Sequence, residues 1–315
     1  MSKAPLLLPL FSLLPSPSTS FGRLISILLF TALDILSADC LFEIASSGVA
    51  AVSSIYQSPR RRQAWKPVSV AAVYLLNPFT LLTCLGRPTT VFSTFFTLLS
   101  VRHASEAKPV TAAFALAIAS YISLHPLLLL PPIGLLCYDQ LCKQQAGTTP
   151  PAQDSVVPSM VVQDQRSLPN PTAYTSTLLA SFGGTVALLV ALSRLLLPSF
   201  RFLPSVYLTP LTLPDLTPNP GLWWYFFIEM FDAFRGFFLG VFWLHMLAYS
   251  VPFCLRMRKQ PLAAVVAMMG IVAVFEPYAN VGDAGAWLSY SCLLGHVMDG
   301  KPALILHLSR HWTGC

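Results

Sequence analysis

Apolar residues run through this chain in long blocks, without the polar interruptions that mark the water-facing side of soluble helices. Pro109 to Cys137, Thr175 to Pro198, Gly221 to Leu255 and Pro261 to Phe275 are the clearest examples. Helices that stay apolar all round belong to deep cores or to membranes, and a bilayer asks for blocks of roughly 20 residues. The pattern predicts an all-α polytopic membrane protein.

The blocks divide into elements. Residues 1–20 carry one Lys, an apolar run and the prolines Pro5, Pro9, Pro15 and Pro17. The prolines make a poor helix, and the stretch reads as a luminal or interfacial lead-in that partly mimics a signal peptide. Residues 21–298 form the multi-spanning domain. Phe21 to about Ile55 is the first span, interrupted by Asp34, Asp39 and Glu43; Asp34 is the best interior acid and Glu43 the one closest to an interface. Ser69 to Leu85 is broken by Asn77-Pro78, and Tyr121 to Cys137 by His125-Pro126. Together with Thr90 to Val101 and Val110 to Ser120 they predict short helical hairpins. At both breaks the polar side chain is expected to satisfy local backbone groups. The polar stretch 139–172 is expected to be a flexible cytosolic loop. Thr175 to Pro198 is a plain span, and Ser199 to Pro220 has too many prolines for a regular helix. A single long helix from Gly221 to Val251, then Pro261 to Phe275 and Ala284 to Met298, complete a set of about eight membrane segments.

Composition agrees: 55% of residues are hydrophobic and 10% are charged, whereas soluble domains carry about 25% charged residues. The net charge of +6 does not point to nucleic acid, because the basic residues sit in short intervals between apolar blocks: Arg60, Arg61, Arg62 and Lys66, then Arg256, Arg258 and Lys259. That is the layout of positive-inside loops. Placing the Arg60 loop in the cytosol, and alternating onwards, puts Arg102, His103, Lys108, Lys143 and the Arg256 loop there too, with Ser199 to Pro220 in the lumen. The seven cysteines show no Cys-x-x-Cys pair and no His partner at zinc spacing. No metal site, cofactor or catalytic motif is visible.

The richest local chemistry lies between Pro214 and Phe231. Asn219 is placed to cap a helix starting near Gly221, and Trp223, Trp224, Tyr225, Phe226, Phe227 and Phe231 are aromatics of the kind that settle at headgroup level. Glu229, Asp232 and Arg235 follow at intervals of three, which on one continuous helix places them on a common face. Asp232 and Arg235 can pair, leaving Glu229 for a polar ligand or a neighbouring helix. In the connection Glu276 to Asp283, helix capping is the leading expectation for Asp283.

The ordered set Tyr74-Leu75-Leu76-Asn77-Pro78-Phe79-Thr80, the Pro214 to Phe231 block and Val281-Gly282-Asp283 resembles the U subunit family of the GPI transamidase. Ala4-Pro5-Leu6 and Asp39 sit where that family has comparable residues, and the resemblance runs from near residue 3 to about His296. It implies a non-catalytic subunit in the endoplasmic reticulum membrane, with an architecture like the lipid-linked-sugar glycosyltransferases. Its implied partners are a caspase-like cysteine protease subunit, other scaffold subunits and the GPI lipid. The implied lipid-recognition block carries over to Trp223 to Phe238, with Asn219 and Asp283 as further candidate lipid contacts, and Asn77, Pro78 and Asp39 become structural or partner candidates. The family begins with an extra helix and luminal segment and continues beyond His296, so residues 299–315, a divergent tail, are expected to mark a truncated or misjoined form. A mannosyltransferase using a polyprenyl-phosphate sugar is the enzyme alternative; it calls for an acidic pair in the first luminal loop that this chain does not contain. A transporter would call for an inverted repeat, and none is seen.

Overall fold

The computed structural model describes residues 4–15, 19–51, 65–147, 169–197, 199–212, 218–219 and 221–295. Among these residues every regular element is helical. The α-helices are α1 (Leu7–Ser12), α2 (Ser20–Ser46), α3 (Pro67–Leu76), α4 (Pro78–Gly86), α5 (Thr90–Ser105), α6 (Pro109–Ile122), α7 (Leu130–Gly147), α8 (Pro171–Leu196), α9 (Thr209–Thr212), α10 (Leu222–Ile228), α11 (Asp232–Arg256), α12 (Pro261–Phe275) and α13 (Val281–Ser291). A short 3-10 turn, His125–Leu129, joins α6 to α7.

Proline starts many of these helices. It heads α3, α4, α6, α8 and α12, where its missing N–H costs nothing because the first helical N–H groups have no intrahelical acceptor anyway. Among the described residues, three helices are long and apolar enough to cross a membrane: α2, α8 and α11. The pair α3 and α4, bent by 53° at Asn77, makes a fourth if counted as one broken span. Apolar α6 and α12 have 14 and 15 residues, short of the roughly 20 that a full crossing takes. The described residues therefore support a helical membrane protein with three or four candidate spans; the fuller expected set is not reached by length and composition.

The core gathers around α5, α6, α7 and α12, with α2, α3 and α13 packed against them. Close approach comes from small side chains. Ala112, Ala113, Ala117 and Ala119 of α6 are buried, and Ser100 Oγ on α5 donates 2.7 Å to the Ala112 carbonyl across that seam. Small residues that let helix backbones approach are how helices associate in an apolar solvent. The outer faces of α8 and α11 are apolar and exposed, with Leu179, Leu188, Leu195, Phe234, Phe237, Leu244 and Leu255 on the surface.

The bundle has two polar ends. At one, Arg102 bridges Asp39 at 2.9 Å and Glu106 at 3.3 Å, and Lys108 holds Glu106 at 2.8 Å. At the other, beyond the far ends of α6 and α12, lie His125 and Glu276. The 14 residues of α6 separate these ends by about 21 Å at helical rise. Asp34 is buried within α2, as an interior acid should be, whereas Asp39 is half-exposed in its ion pair and Glu43 half-buried near the helix end.

Three expectations change. The polar residues after Gln140 do not begin a loop at once: α7 continues to Gly147, with Asp139 and Lys143 paired at i, i+4. The proline-bearing start still forms α1, because Pro9 sits within its first turn, where no intrahelical N–H is lost. The expected long helix from Gly221 is two helices, α10 and α11, with Glu229 to Phe231 between them. The Arg60-Arg61-Arg62 cluster, residues 148–168, residues 213–217 and the 299–315 tail lie outside the described residues.

Helices α13 and α4 approach too closely for a side chain at the α13 glycines. A Cβ on Gly285 would overlap Phe79, and one on Gly282 would overlap Thr83. Gly285→Ala should lower stability by about 1–3 kcal/mol through overpacking, read as a lower thermal midpoint of the purified protein. Gly183→Ala on α8, where nothing lies within 4 Å, should leave the midpoint nearly unchanged.

Candidate functional site

Helical periodicity builds a cleft at the His125 end. Thr90, Ser93, Thr94 and Thr97 recur on α5 at the three-and-four spacing that puts them on one face, and all four line the cleft. Met269, Val272 and Ala273 of α12 repeat the spacing from the opposite side and lead into Glu276. Asp283, Ala286 and Tyr290 do the same on α13. The cleft is open on one side and spans about 620 Å³, that opening included, between apolar and polar lining residues. A second cleft of about 810 Å³ lies beside it, lined by Tyr207, Thr209 and Tyr278 among others, and Thr90, Ser123, His125 and Glu276 line both.

His125 and Glu276 are the hinge of this arrangement. His125 Nδ1 stands 3.4 Å from Glu276 Oε1, with the side chains only 7% and 15% exposed, and Ser123 Oγ lies 3.4 Å from the same nitrogen. His125 Nε2 has no hydrogen-bond partner. Trp243 covers the imidazole in a stacked contact, 5.6 Å between ring centres. Burial pushes the His125 imidazole down to about 4 and the Glu276 carboxyl upward, because each charged form loses its hydration. The two groups stand in contact while burial disfavours the charged form of each.

Asparagines frame the site. Asn280 caps α13, its Oδ1 accepting from Gly282 N at 3.3 Å. This corrects the capping role expected of Asp283, which instead occupies the first turn of α13, lines the cleft, and keeps its buried Oδ2 without a partner. Asn219 lies two residues ahead of the α10 N-cap, Gly221, so it does not cap the helix. Its Oδ1 accepts from Gly221 N at 2.8 Å and its Nδ2 donates to the Pro277 carbonyl at 3.3 Å, tying the approach to α10 onto the Glu276 connection. Asn77 does more than satisfy its own break. It caps α4 through Phe79 N at 3.0 Å and reaches α13 at Gly285 O, 2.8 Å, and Ser289 Oγ, 2.9 Å.

The aromatic block splits in two. Trp223 is fully buried, its indole N–H donating to the Phe275 carbonyl, and it packs with Phe227, Phe242 and Trp243. Phe226 packs against Phe238 and Phe242. This inner half braces the segment that carries Glu276. The outer half faces outward: Tyr225 is 65% and Phe231 78% exposed, with Trp224 half-buried against Tyr225. Glu229 is exposed at the end of α10. Because of the break after it, Glu229 does not share a continuous helix face with Asp232 and Arg235, which lie in the opening turns of α11. Asp232 there faces the positive end of the helix dipole.

Of the residues expected to contact a ligand, only Asp283 lines the cleft. His125, Glu276, Tyr290 and the hydroxyl face of α5 were missed as site residues. A usable signal was present: hydroxyls at 90, 93, 94 and 97, and an acid directly after the apolar run of α12.

Comparison with known proteins fits this frame. The model of the family described as GPI transamidase subunit PIG-U matches residues 1–306. The chain belongs to this family. Relatives of this PIG-U family chain include the GPI-anchor transamidase component PIGU of Homo sapiens, 29% identical over 246 residues, covering 78% of this chain and 52% of the relative. The GPI transamidase component GAB1 of Saccharomyces cerevisiae is 32% identical over 228 residues, covering 72% of this chain and 49% of the relative. The GAB1 homolog of Schizosaccharomyces pombe is 29% identical over 233 residues, covering 74% and 50%. The chain thus spans about half the length of the curated relatives it matches.

The split aromatic block yields a direct check. Trp223→Ala removes a fully buried side chain and should cost about 3–5 kcal/mol, whereas Tyr225→Ala, on the outer face, should cost under about 0.5 kcal/mol. Thermal unfolding of the two purified variants measures both; equal losses would contradict the division into inner brace and outer face.

Proposed function

We propose that this chain acts as a non-catalytic subunit of the GPI transamidase complex in the endoplasmic reticulum membrane, where it helps hold the GPI lipid and packs against partner subunits. The family match over residues 1–306 carries this reading. Its partners are the other transamidase subunits, among them the caspase-like cysteine protease subunit. Its architecture is that of the lipid-linked-sugar glycosyltransferases, with about eight membrane segments arranged by the positive-inside rule.

The arrangement of the site supports a lipid-facing role. Tyr225, Phe231, Phe234 and Phe237 are exposed aromatics on the same segment whose Trp223 and Asn219 are hydrogen-bonded to the Phe275 and Pro277 carbonyls that flank Glu276. Aromatics beside polar groups suit the boundary between acyl chains and headgroups, where one end of a ring stays dry and the other meets hydrogen-bonding groups. Glu229 stands on this segment at the α10–α11 break, free to meet a polar headgroup or a partner helix. Asp39, at the opposite end, serves the bundle through its ion pair to Arg102.

Expression in cells lacking their own U subunit tests the proposal. The chain should restore GPI-anchored proteins to the cell surface, and Glu229→Ala should reduce that display severalfold at equal protein level. A stable chain in the endoplasmic reticulum that restores nothing would overturn the subunit role; normal display with Glu229→Ala would remove Glu229 from the contact surface.

A further inference from the structure

The cleft bounded by α5, the α6–α7 turn, α12 and α13 contains more hydrogen-bonding capacity than the protein itself uses. His125 and Tyr290 are each more than nine-tenths buried, and His125 Nε2 and the Tyr290 hydroxyl have no partner. Asp283 Oδ2, also buried, has none. All three residues line the same space, together with Glu276 and the hydroxyls of Thr90, Ser93, Thr94 and Thr97. Leaving a buried polar group unmade costs about 1–3 kcal/mol, so a cluster of them beside a cavity marks a place where an external group completes the bonding.

The chemistry of the cleft lining selects that group. Two carboxyls, an imidazole nitrogen and a row of hydroxyls accept hydrogen bonds readily. No Lys or Arg is among the described residues that line the cleft, so a phosphate finds no countercharge there, whereas the carboxyl oxygens can accept from a donor. The floor of Leu129, Met269, Val272 and Ala273 is apolar, suited to the first carbons of an acyl or alkyl chain.

We propose that this cleft is a binding site for the donor-rich, non-anionic part of an amphiphile, a hydroxylated sugar ring or a primary ammonium, with Glu276, Asp283, His125 and Tyr290 as its polar contacts. This deepens the lipid-holding reading above, and rests on it only for which lipid is met in the cell. The phosphate of such a lipid stays outside the cleft. The apolar floor takes the start of its chain, and Trp243 holds the imidazole in place by stacking.

The test uses the full chain in phosphatidylcholine nanodiscs, a lipid without N–H or O–H donors, titrated below micellar concentrations with octyl glucoside, octyl glucosaminide and octyl phosphate. Tryptophan emission reads binding, because Trp287 lines the cleft and Trp243 stacks on His125. Saturable change with either sugar probe is expected, together with at least tenfold weaker affinity in Glu276→Gln and Asp283→Asn. A tighter glucosaminide identifies the ammonium as the preferred donor, and equal affinity identifies the hydroxyls. Thr94→Leu, which fills the cleft from α5 without touching the acids, should weaken binding as much and guards against misfolding of the acid variants. Asp39→Asn, at the opposite end, should bind as the parent does. No saturable response, unchanged affinity in all three cleft variants, or octyl phosphate binding as well as the sugars would each overturn the site. Because these titrations need no partner subunit, their failure is distinct from failure to restore surface display in cells.

Discussion

Inside an apolar bundle a backbone group exposed by a helix break has no water to turn to, and the structure depends on side chains that take its place. Asparagine does most of this. Asn77, Asn170 and Asn280 cap α4, α8 and α13 through their amide oxygens, and Asn219 closes the turn before α10 in the same manner. Asn77 and Asn219 then use their amide N–H groups to reach a distant segment, α13 in one instance and the Glu276 connection in the other. One residue type thus closes a break and sets the position of the neighbour that forms the site.

The cleft follows from that positioning. Once Asn77 has docked the α3–α4 bend onto α13, the glycines at 282 and 285 let α4 approach closely, and Asp283 and Tyr290 turn towards α5. Once Trp223 and Asn219 have tied the α10 region to the Phe275 and Pro277 carbonyls, Glu276 is held opposite His125. The acids are therefore kept at the cleft by hydrogen bonds made to their neighbours' backbone, and Asp283 keeps its buried Oδ2 without a partner. Burial pushes the His125 imidazole down and the Glu276 carboxyl up, both towards their neutral forms.

Much of the fold was legible because proline, asparagine and apolar run length are local signals. Pro261 to Phe275 appears in the structure with the expected bounds, the Asn77-Pro78 break falls where it should, and Asp34 is interior. The break between α10 and α11 was hidden, because Glu229, Asp232 and Arg235 keep helical spacing across it and no proline or glycine marks it. The role of Asp283 was misassigned because any acid near a helix start resembles a cap; which of Asn280 and Asp283 does the capping depends on where the first turn begins. The cleft itself could not be read from one segment. It needs α5, α12 and α13 side by side, and that adjacency is set by long-range hydrogen bonds.

Membership of the transamidase assembly, proposed above for this chain, is what a direct measurement must decide. Affinity purification of the tagged chain from mildly solubilised endoplasmic reticulum membranes, with mass spectrometry of the co-purifying proteins, tests it most directly. The account predicts recovery of the caspase-like cysteine protease subunit together with other transamidase subunits. A stable, correctly located chain that purifies without any of them, when a full-length relative treated in parallel retains them, would contradict it.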